Sequence, residues 1–436
     1  MIHAKDPDIV EGRSSTRFYR SIRLDQDLAT PGALADYTVT PQVQRVLLRA
    51  AEALGRESLD RAWTITGPYG TGKSACGLFL AELAAASGHD GNAWSLLRLQ
   101  APEVAQELRR SIGPNEKLLP VVATLRRAPL AVGISESLLT AIGRLPLTTD
   151  RETLAAELRA NLQQPSPDTR RMVRCLRRLI ELASASDGYK GVLIILDELG
   201  KPLEHAAHHA GEDIYLLQEL AEFAQRSTVH PVLVIGILHQ SFENYASQVD
   251  ARTRNEWGKV QGRFADLAFL EPTEQMLRLA GRAAEQIARR AGVNEALVVA
   301  VARIAEELTR HSLGPRNLPS AEFRNIAESA VPLHPLTLLA LPYLFRRLAQ
   351  NERSMFGYLS GDEPFGFQDF ARNHPDRLIR LPNLYDYCTA NVGGLLAGQV
   401  VSRRWLEISD AIDRAPDLTQ LQVDVLKTVG LLGILG

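Results

Sequence analysis

Apolar residues along the chain alternate between two periods, and the switching orders the elements. After Pro41, the residues Val43, Val46, Leu47, Ala50, Ala51 and Leu54 recur at helical spacing, and Gly55 closes the pattern. Trp63 to Thr66 is a short β-prone run, and Ser74 to Ala86 is apolar at helix period after a glycine-rich interval. Ser111 to Leu119 reads as loop, Pro120 to Thr124 as a second strand, and Ser135 to Ile142 as a helix. Leucine, arginine, glutamate and alanine dominate 148–187, which predicts helices leading to the strongest strand signal, Val192 to Leu196. Leu216 to Ser227 is helical again, Val232 to Leu238 is a continuous apolar run, and Leu267 to Leu270 is a short one. Strands that are apolar throughout, alternating with helices, belong to a parallel sheet covered on both faces. The expected fold class is therefore α/β, a parallel five-stranded sheet with helices on both faces.

Beyond Pro272 the strand signal fades, and Glu274 to Thr309 forms a pair of amphipathic patterns followed by more helix through Leu348. The expected organisation is an N-terminal strap over 1–40, an α/β domain over 41–272, a helical domain over 273–380 and a further segment over 381–436. Leu418 to Val429 is helix-like, and the chain stops inside the apolar run Leu431 to Leu435, so a continuing chain is expected.

Composition narrows the class. With 436 residues, 45% hydrophobic and 23% charged, the chain is long enough for two or three folded domains. Lysine plus arginine total 49 against 51 aspartate plus glutamate, a balance that does not announce nucleic acid or an anionic membrane. Cys76, Cys175 and Cys388 are far apart, without CxxC spacing or clustered histidines, which disfavours a disulfide framework or structural zinc and fits a reducing compartment. No stretch reaches the roughly 18 apolar residues of a membrane span. A cytoplasmic location is expected.

The glycine-rich interval carries the chemistry. Gly67-Pro68-Tyr69-Gly70-Thr71-Gly72-Lys73-Ser74 fits GxxxxGK[ST] between a strand and a helix, as that phosphate-binding loop requires. Glycines at 67, 70 and 72 allow successive backbone N–H groups, through Ala75, to converge on phosphate oxygens, and the helix start adds its positive dipole end. Lys73 would bridge the β- and γ-phosphates, and Ser74 would ligate Mg²⁺. The second motif is the apolar run Val192 to Leu196 followed by Asp197 and Glu198. Asp197, at the end of a parallel strand, is placed to hold the Mg²⁺ shell, and Glu198 to polarise the water that attacks the γ-phosphate. Taken alone, two acids after a core strand are an ordinary acidic turn. Beside a phosphate loop they favour hydrolysis, since a small-molecule kinase needs no water-activating carboxylate.

These residues resemble the AAA+ class of P-loop ATPases, and within it the origin-recognition and STAND-like branch that includes large ATPases of bacterial phage-defence systems of the BREX type. The resemblance spans about Tyr37 to Leu359 and is carried by Gly67 to Ser74, Leu196 to Lys201, Gly236 to Ser241, and Gln261-Gly262-Arg263-Phe264. It implies ATP and Mg²⁺ as ligands, a helical lid, and a final segment similar to the start of a winged-helix domain. His239, Gln240 or Ser241 stands where the family senses the γ-phosphate, the usual Asn being absent. Arg263 holds the place of an arginine that reaches a neighbour's site, worth about 10³ to 10⁵ in rate when donated in trans; Lys259, Arg254 and Arg252 compete with it, and a surface arginine is the plain alternative. His334-Pro335-Leu336-Thr337 is similar to a lid motif, Arg353 or Arg347 would be a second sensor, and Tyr37 to Pro41 resembles the segment lining the adenine. A homo-oligomer or larger multi-protein complex is implied, with roles in defence or DNA processing, a slow assembly switch, or a DNA-loading subunit. Arg170, Arg171, Arg174, Arg177 and Arg178 crowd one predicted helix and are either a phosphate contact or a solvated face.

Overall fold

The computed structural model describes residues 22–34, 37–55, 58, 60–68, 71–164, 167–186, 188–208, 214–246, 251–291, 294–348, 353–391, 400–414 and 417–435. Five strands, β1 (Ala62–Thr66), β2 (Lys117–Thr124), β3 (Tyr189–Asp197), β4 (Val232–Leu238) and β5 (Ala265–Ala268), form one sheet in the order β2-β3-β4-β1-β5. Every pairing is parallel. The expected five-stranded parallel sheet is therefore present, and all its strands end on the same edge.

Side-chain alternation along the strands divides the interior in two. Val192, Ile194 and Leu196 of β3, with Val232, Val234 and Leu238 of β4, pack under α6 (Leu130–Ile142), α7 (Thr149–Leu162), α8 (Thr169–Ala185) and later helices of that face. Leu193 and Ile195, with Leu233, Ile235 and Ile237, pack on the opposite face under α2 (Pro41–Ala53), α3 (Lys73–Ala85), α4 (Asn92–Gln100) and α5 (Pro102–Ile112). Both sets are buried, so the central strands have no polar face, as their unbroken apolar runs require. Fully burying one such side chain contributes about 1.5–3 kcal/mol.

Three local expectations shift. The interval read as loop, Ser111 to Leu119, is divided: α5 runs to Ile112, a turn follows at Gly113, and β2 begins at Lys117. β5 lies two residues earlier than the apolar run suggested: it ends at Ala268, and Phe269, whose N–H still donates to Thr66 O at 2.7 Å, packs into the core beside the phosphate loop. Of the N-terminal strap, residues 1–21 lie outside the described residues; the rest includes a single helical turn, α1 (Leu24–Asp27), whose Asp25 accepts from Thr124 Oγ1 at 2.8 Å.

On the first face the helices continue as α9 (Gly200–His208), α10 (Tyr215–Arg226), α11 (Phe242–Ala246) and α12 (Ala251–Gln261). After β5 the elements among the described residues are helices, α13 (Thr273–Ala291), α14 (Glu295–Arg310), α15 (Ser320–Ser329), α16 (Pro335–Leu348), α17 (Arg353–Ser360), α18 (Phe367–Asn373), α19 (Leu381–Asn391), α20 (Val400–Asp413) and α21 (Gln420–Leu435), with one isolated parallel bridge between Leu333 and Ile379. They share a third core, in which Leu277, Phe323, Leu341 and Phe345 are joined by Trp405, Leu431 and Ile434. Among the described residues no helix is long and apolar enough to cross a membrane.

Candidate active site

Parallel strands place their carboxyl ends together, and ligands of open α/β sheets bind outside that edge. Here Thr66, Asp197 and Leu238 end β1, β3 and β4, and backbone bonds tie the exits: Gly67 N–H donates to Leu238 O at 3.2 Å and Leu199 N–H to Ile237 O at 3.1 Å. Gly236 leaves room for the Leu199 side chain, whose methyl would lie 2.6 Å from a Cβ at that position.

The phosphate loop leaves β1 and enters α3 directly. Gly72, the residue before the helix, has φ +85°, a left-handed conformation that glycine adopts without strain, and it provides no side-chain cap. The first-turn N–H groups of α3, including those of Lys73, Ser74 and Ala75, are thus left to an incoming anion. Lys73 is 3% exposed, and its ammonium donates to Gly67 O at 2.6 Å, to Pro68 O, and to Thr71 Oγ1 at 3.3 Å. Tyr69 and Gly70 lie outside the described residues.

Asp197 is 1% exposed. Burial, reinforced by the neighbouring Glu198 charge, pushes its carboxyl up to about 6, while a hydrogen bond from the Ser74 hydroxyl and the Lys73 charge pull the other way. A carboxylate buried in this way is neutralised by a proton or by a cation. Ser74 and Asp197 together fit Mg²⁺, which takes few protein oxygens and keeps water and phosphate oxygens. Among the described residues no cluster of three or more His, Cys, Asp or Glu suits a metal held by protein alone.

Glu198 follows with φ +58°, unusual for a residue with a side chain, and its N–H donates to Asp197 Oδ1 at 2.9 Å. That turn points the two carboxyls to different surroundings. His239 Nε2 lies 3.0 Å from Glu198 Oε2, and Lys201 Nζ lies 3.3 Å from the same oxygen. An ionised carboxylate only accepts, so His239 carries its proton on Nε2 in this pair. Burial acts to raise the Glu198 pKa, but the His239 hydrogen bond and the Lys201 charge outweigh it and hold the carboxyl below its ordinary value. Of the three residues that compete for the end of β4, His239 is thus beside Glu198, whereas Gln240 is exposed and Ser241 half-buried.

The remaining candidates separate. Arg263 is 46% exposed and pairs with Glu222 at 3.3 Å within the chain. Lys259 pairs with Glu256 at 2.7 Å, Arg254 donates to Ala246 O at 3.2 Å, and the Arg252 side chain lies outside the described residues. In the lid, Arg347 turns away and donates to Ile434 O, and the side chain of Arg353 also lies outside the described residues. Sequence reasoning missed the neighbour, Arg346, which donates to Glu271 O and lies 3.4 Å from Thr273 Oγ1, where β5 hands over to α13. The Glu271 carboxyl is 4% exposed, is raised by burial, and accepts from Thr40 Oγ1 at the start of α2. His334 Nδ1 accepts the Leu336 N–H at 3.2 Å and so caps the start of α16.

No protein-family model matches the chain, and no curated protein does. Among solved structures, it is similar to that of the Aeropyrum pernix ORC2 protein in ADPNP and ADP complexes, at 14% identity over 92% of this chain and 97% of that chain, with a TM-score of 0.35. That likeness is too loose to carry a functional conclusion. The P-loop NTPase fold rests on the sheet, the strand-to-helix loop and the acidic strand end.

Proposed function

We propose that the chain is a Mg²⁺-dependent ATPase of the AAA+ type, in the origin-recognition and STAND-like branch, that works as a cytoplasmic oligomer or within a larger complex. The observation that carries this reading is the meeting, at one sheet edge, of Ser74 with Asp197 and of a separately held Glu198. The α3 N-terminus and Lys73 would bind the phosphates, and Ser74 and Asp197 would hold Mg²⁺. When bound, Mg²⁺ neutralises charge on the phosphate oxygens. Glu198 would orient a water and accept its proton as the water oxygen bonds to the γ-phosphorus and the bond to the bridging oxygen breaks, releasing ADP. Among the described residues the Arg263 guanidinium makes one surface ion pair, with Glu222, worth about 0–1 kcal/mol, so it can be lent to a neighbour's site at little cost. Work in phage defence or DNA processing is the setting that the family resemblance implies.

Equilibrium titration with a fluorescent ATP analogue, with and without Mg²⁺, tests the site. Wild type should bind more tightly with the metal, and Asp197→Asn should lose that difference while still binding nucleotide; a wild type indifferent to Mg²⁺ contradicts the reading.

A DNA-gated version has one favouring observation. Arg170, Arg174 and Arg177 lie exposed at i, i+4 and i+7 on α8, and Arg170 and Arg174 fall in its first two turns, where cations oppose the helix dipole. Arg177 also lies over the Phe223 ring, and Arg178 pairs with Glu157 at 2.8 Å. Hydrolysis stimulated by duplex DNA with steep salt dependence would select this version.

A further inference from the structure

Lys201 is absorbed by no role so far. It sits in the first turn of α9, three residues after Glu198, and the Lys201 N–H donates to Glu198 O at 3.0 Å, so one tight turn fixes both residues relative to the end of β3. A cation at a helix start opposes the helix dipole by about 0.3–1 kcal/mol, so its place there needs an offset. The Glu198 carboxylate provides it at 3.3 Å. As a fold element the pair is weak: Lys201 is 46% exposed and Glu198 21%, and exposed ion pairs contribute about 0–1 kcal/mol. Geometry is the better account of it. Both donors, His239 Nε2 at 3.0 Å and Lys201 Nζ, converge on Oε2, and among the described residues Oε1 takes no hydrogen bond. Two donors on one oxygen, one from the end of β4 and one from α9, fix the plane of the carboxylate and leave the other oxygen directed to something else.

Resting on the hydrolase reading above, we infer that Lys201 is a positioning residue: with His239 it clamps Glu198 Oε2 so that Oε1 faces the attacking water. Lys201 touches neither nucleotide nor water in this role and acts only through Glu198. A side chain a few ångströms from the reacting atoms that misplaces a base by about 1 Å can reduce the rate by up to about 10²-fold.

The test is steady-state ATP turnover by the full chain as wild type, Lys201→Met and Lys201→Arg, with Lys201→Met repeated in the Glu198→Gln background and thermal melts in parallel. Lys201→Met should lower kcat about ten- to a hundredfold with KM within about twofold, Lys201→Arg should restore most of the loss, and in the Glu198→Gln background removing the lysine should change the residual rate by less than about twofold. An unchanged or higher kcat in Lys201→Met, no rescue by arginine, or an equal fall in the Glu198→Gln background would overturn the inference while leaving the hydrolase reading intact. A wild type that binds ATP without turning it over would remove both, and that result is distinct from any of the others.

Discussion

The sheet edge and the helical half, 273–435, both rest on apolar cores, yet they treat buried polar groups differently. In the helical half, the buried Thr337 and Tyr358 hydroxyls have no hydrogen-bond partner among the described residues; burial, reinforced by Cys388, pushes Tyr358 far above its ordinary value, and burial by itself does the same to Cys388. At the sheet edge the buried polar groups Thr71, Lys73 and Asp197 act on one another, and their neighbours Ser74, Glu198 and His239 join them. Burial alone makes a perturbed group; burial with converging partners makes a site. The contrast also assigns the two halves different work. On the proposed reading the sheet edge holds the groups that bind phosphate and move a proton, and in the helical half Arg346 reaches the junction behind β5.

Substitution can break that contrast. The largest effect on nucleotide affinity should come from Lys73→Met, which removes a charge-assisted contact of about 1.5–3 kcal/mol and so weakens ATP binding by about tenfold to a hundredfold. The matching change in the helical half, Arg324→Met, deletes an exposed cation paired with Glu306 and Glu328 and should leave affinity within about twofold in the same titration. Equal effects would mean that binding does not localise to the sheet edge. A smaller change is expected for Arg346→Ala, which unpins α16 from Glu271 and Thr273: about a threefold to tenfold loss of nucleotide affinity, on the order of 1 kcal/mol, measured by the same titration. No loss would show that the helical half does not report to the site.

Much of the site was legible because its residues are adjacent in sequence. Gly67 to Ser74 is a contiguous loop, and Asp197 and Glu198 close an apolar strand, so local pattern placed them. What escaped depends on phase or on distance. Arg346 and Arg347 are consecutive on α16, and only the direction of each side chain separates the one on Glu271 O from the one on Ile434 O. His239, Gln240 and Ser241 are likewise consecutive, and it is the exit of β4 that puts His239, of the three, beside Glu198. Thr40 and Glu271 are 231 residues apart, and no spacing rule links them. The fold was read from the same local signals, its strands from apolar runs, while the end of α5 and the start of β2 were hidden in an interval where Gly113 and Pro114 suggested loop throughout. Helices of the second half were visible by period alone, but how they share a core with Trp405 and Leu431 is long-range packing.

The most direct measurement of the central claim is release of phosphate from ATP by wild type and by Glu198→Gln in the presence of Mg²⁺, with ATP binding followed on both proteins. Wild type should turn over, and the variant should bind ATP equally well while losing about 10² to 10⁴ in rate, the contribution of a positioned base. Equal turnover by the two proteins would contradict the account, because it would leave Glu198 without the role that its position beside Asp197 and His239 assigns to it.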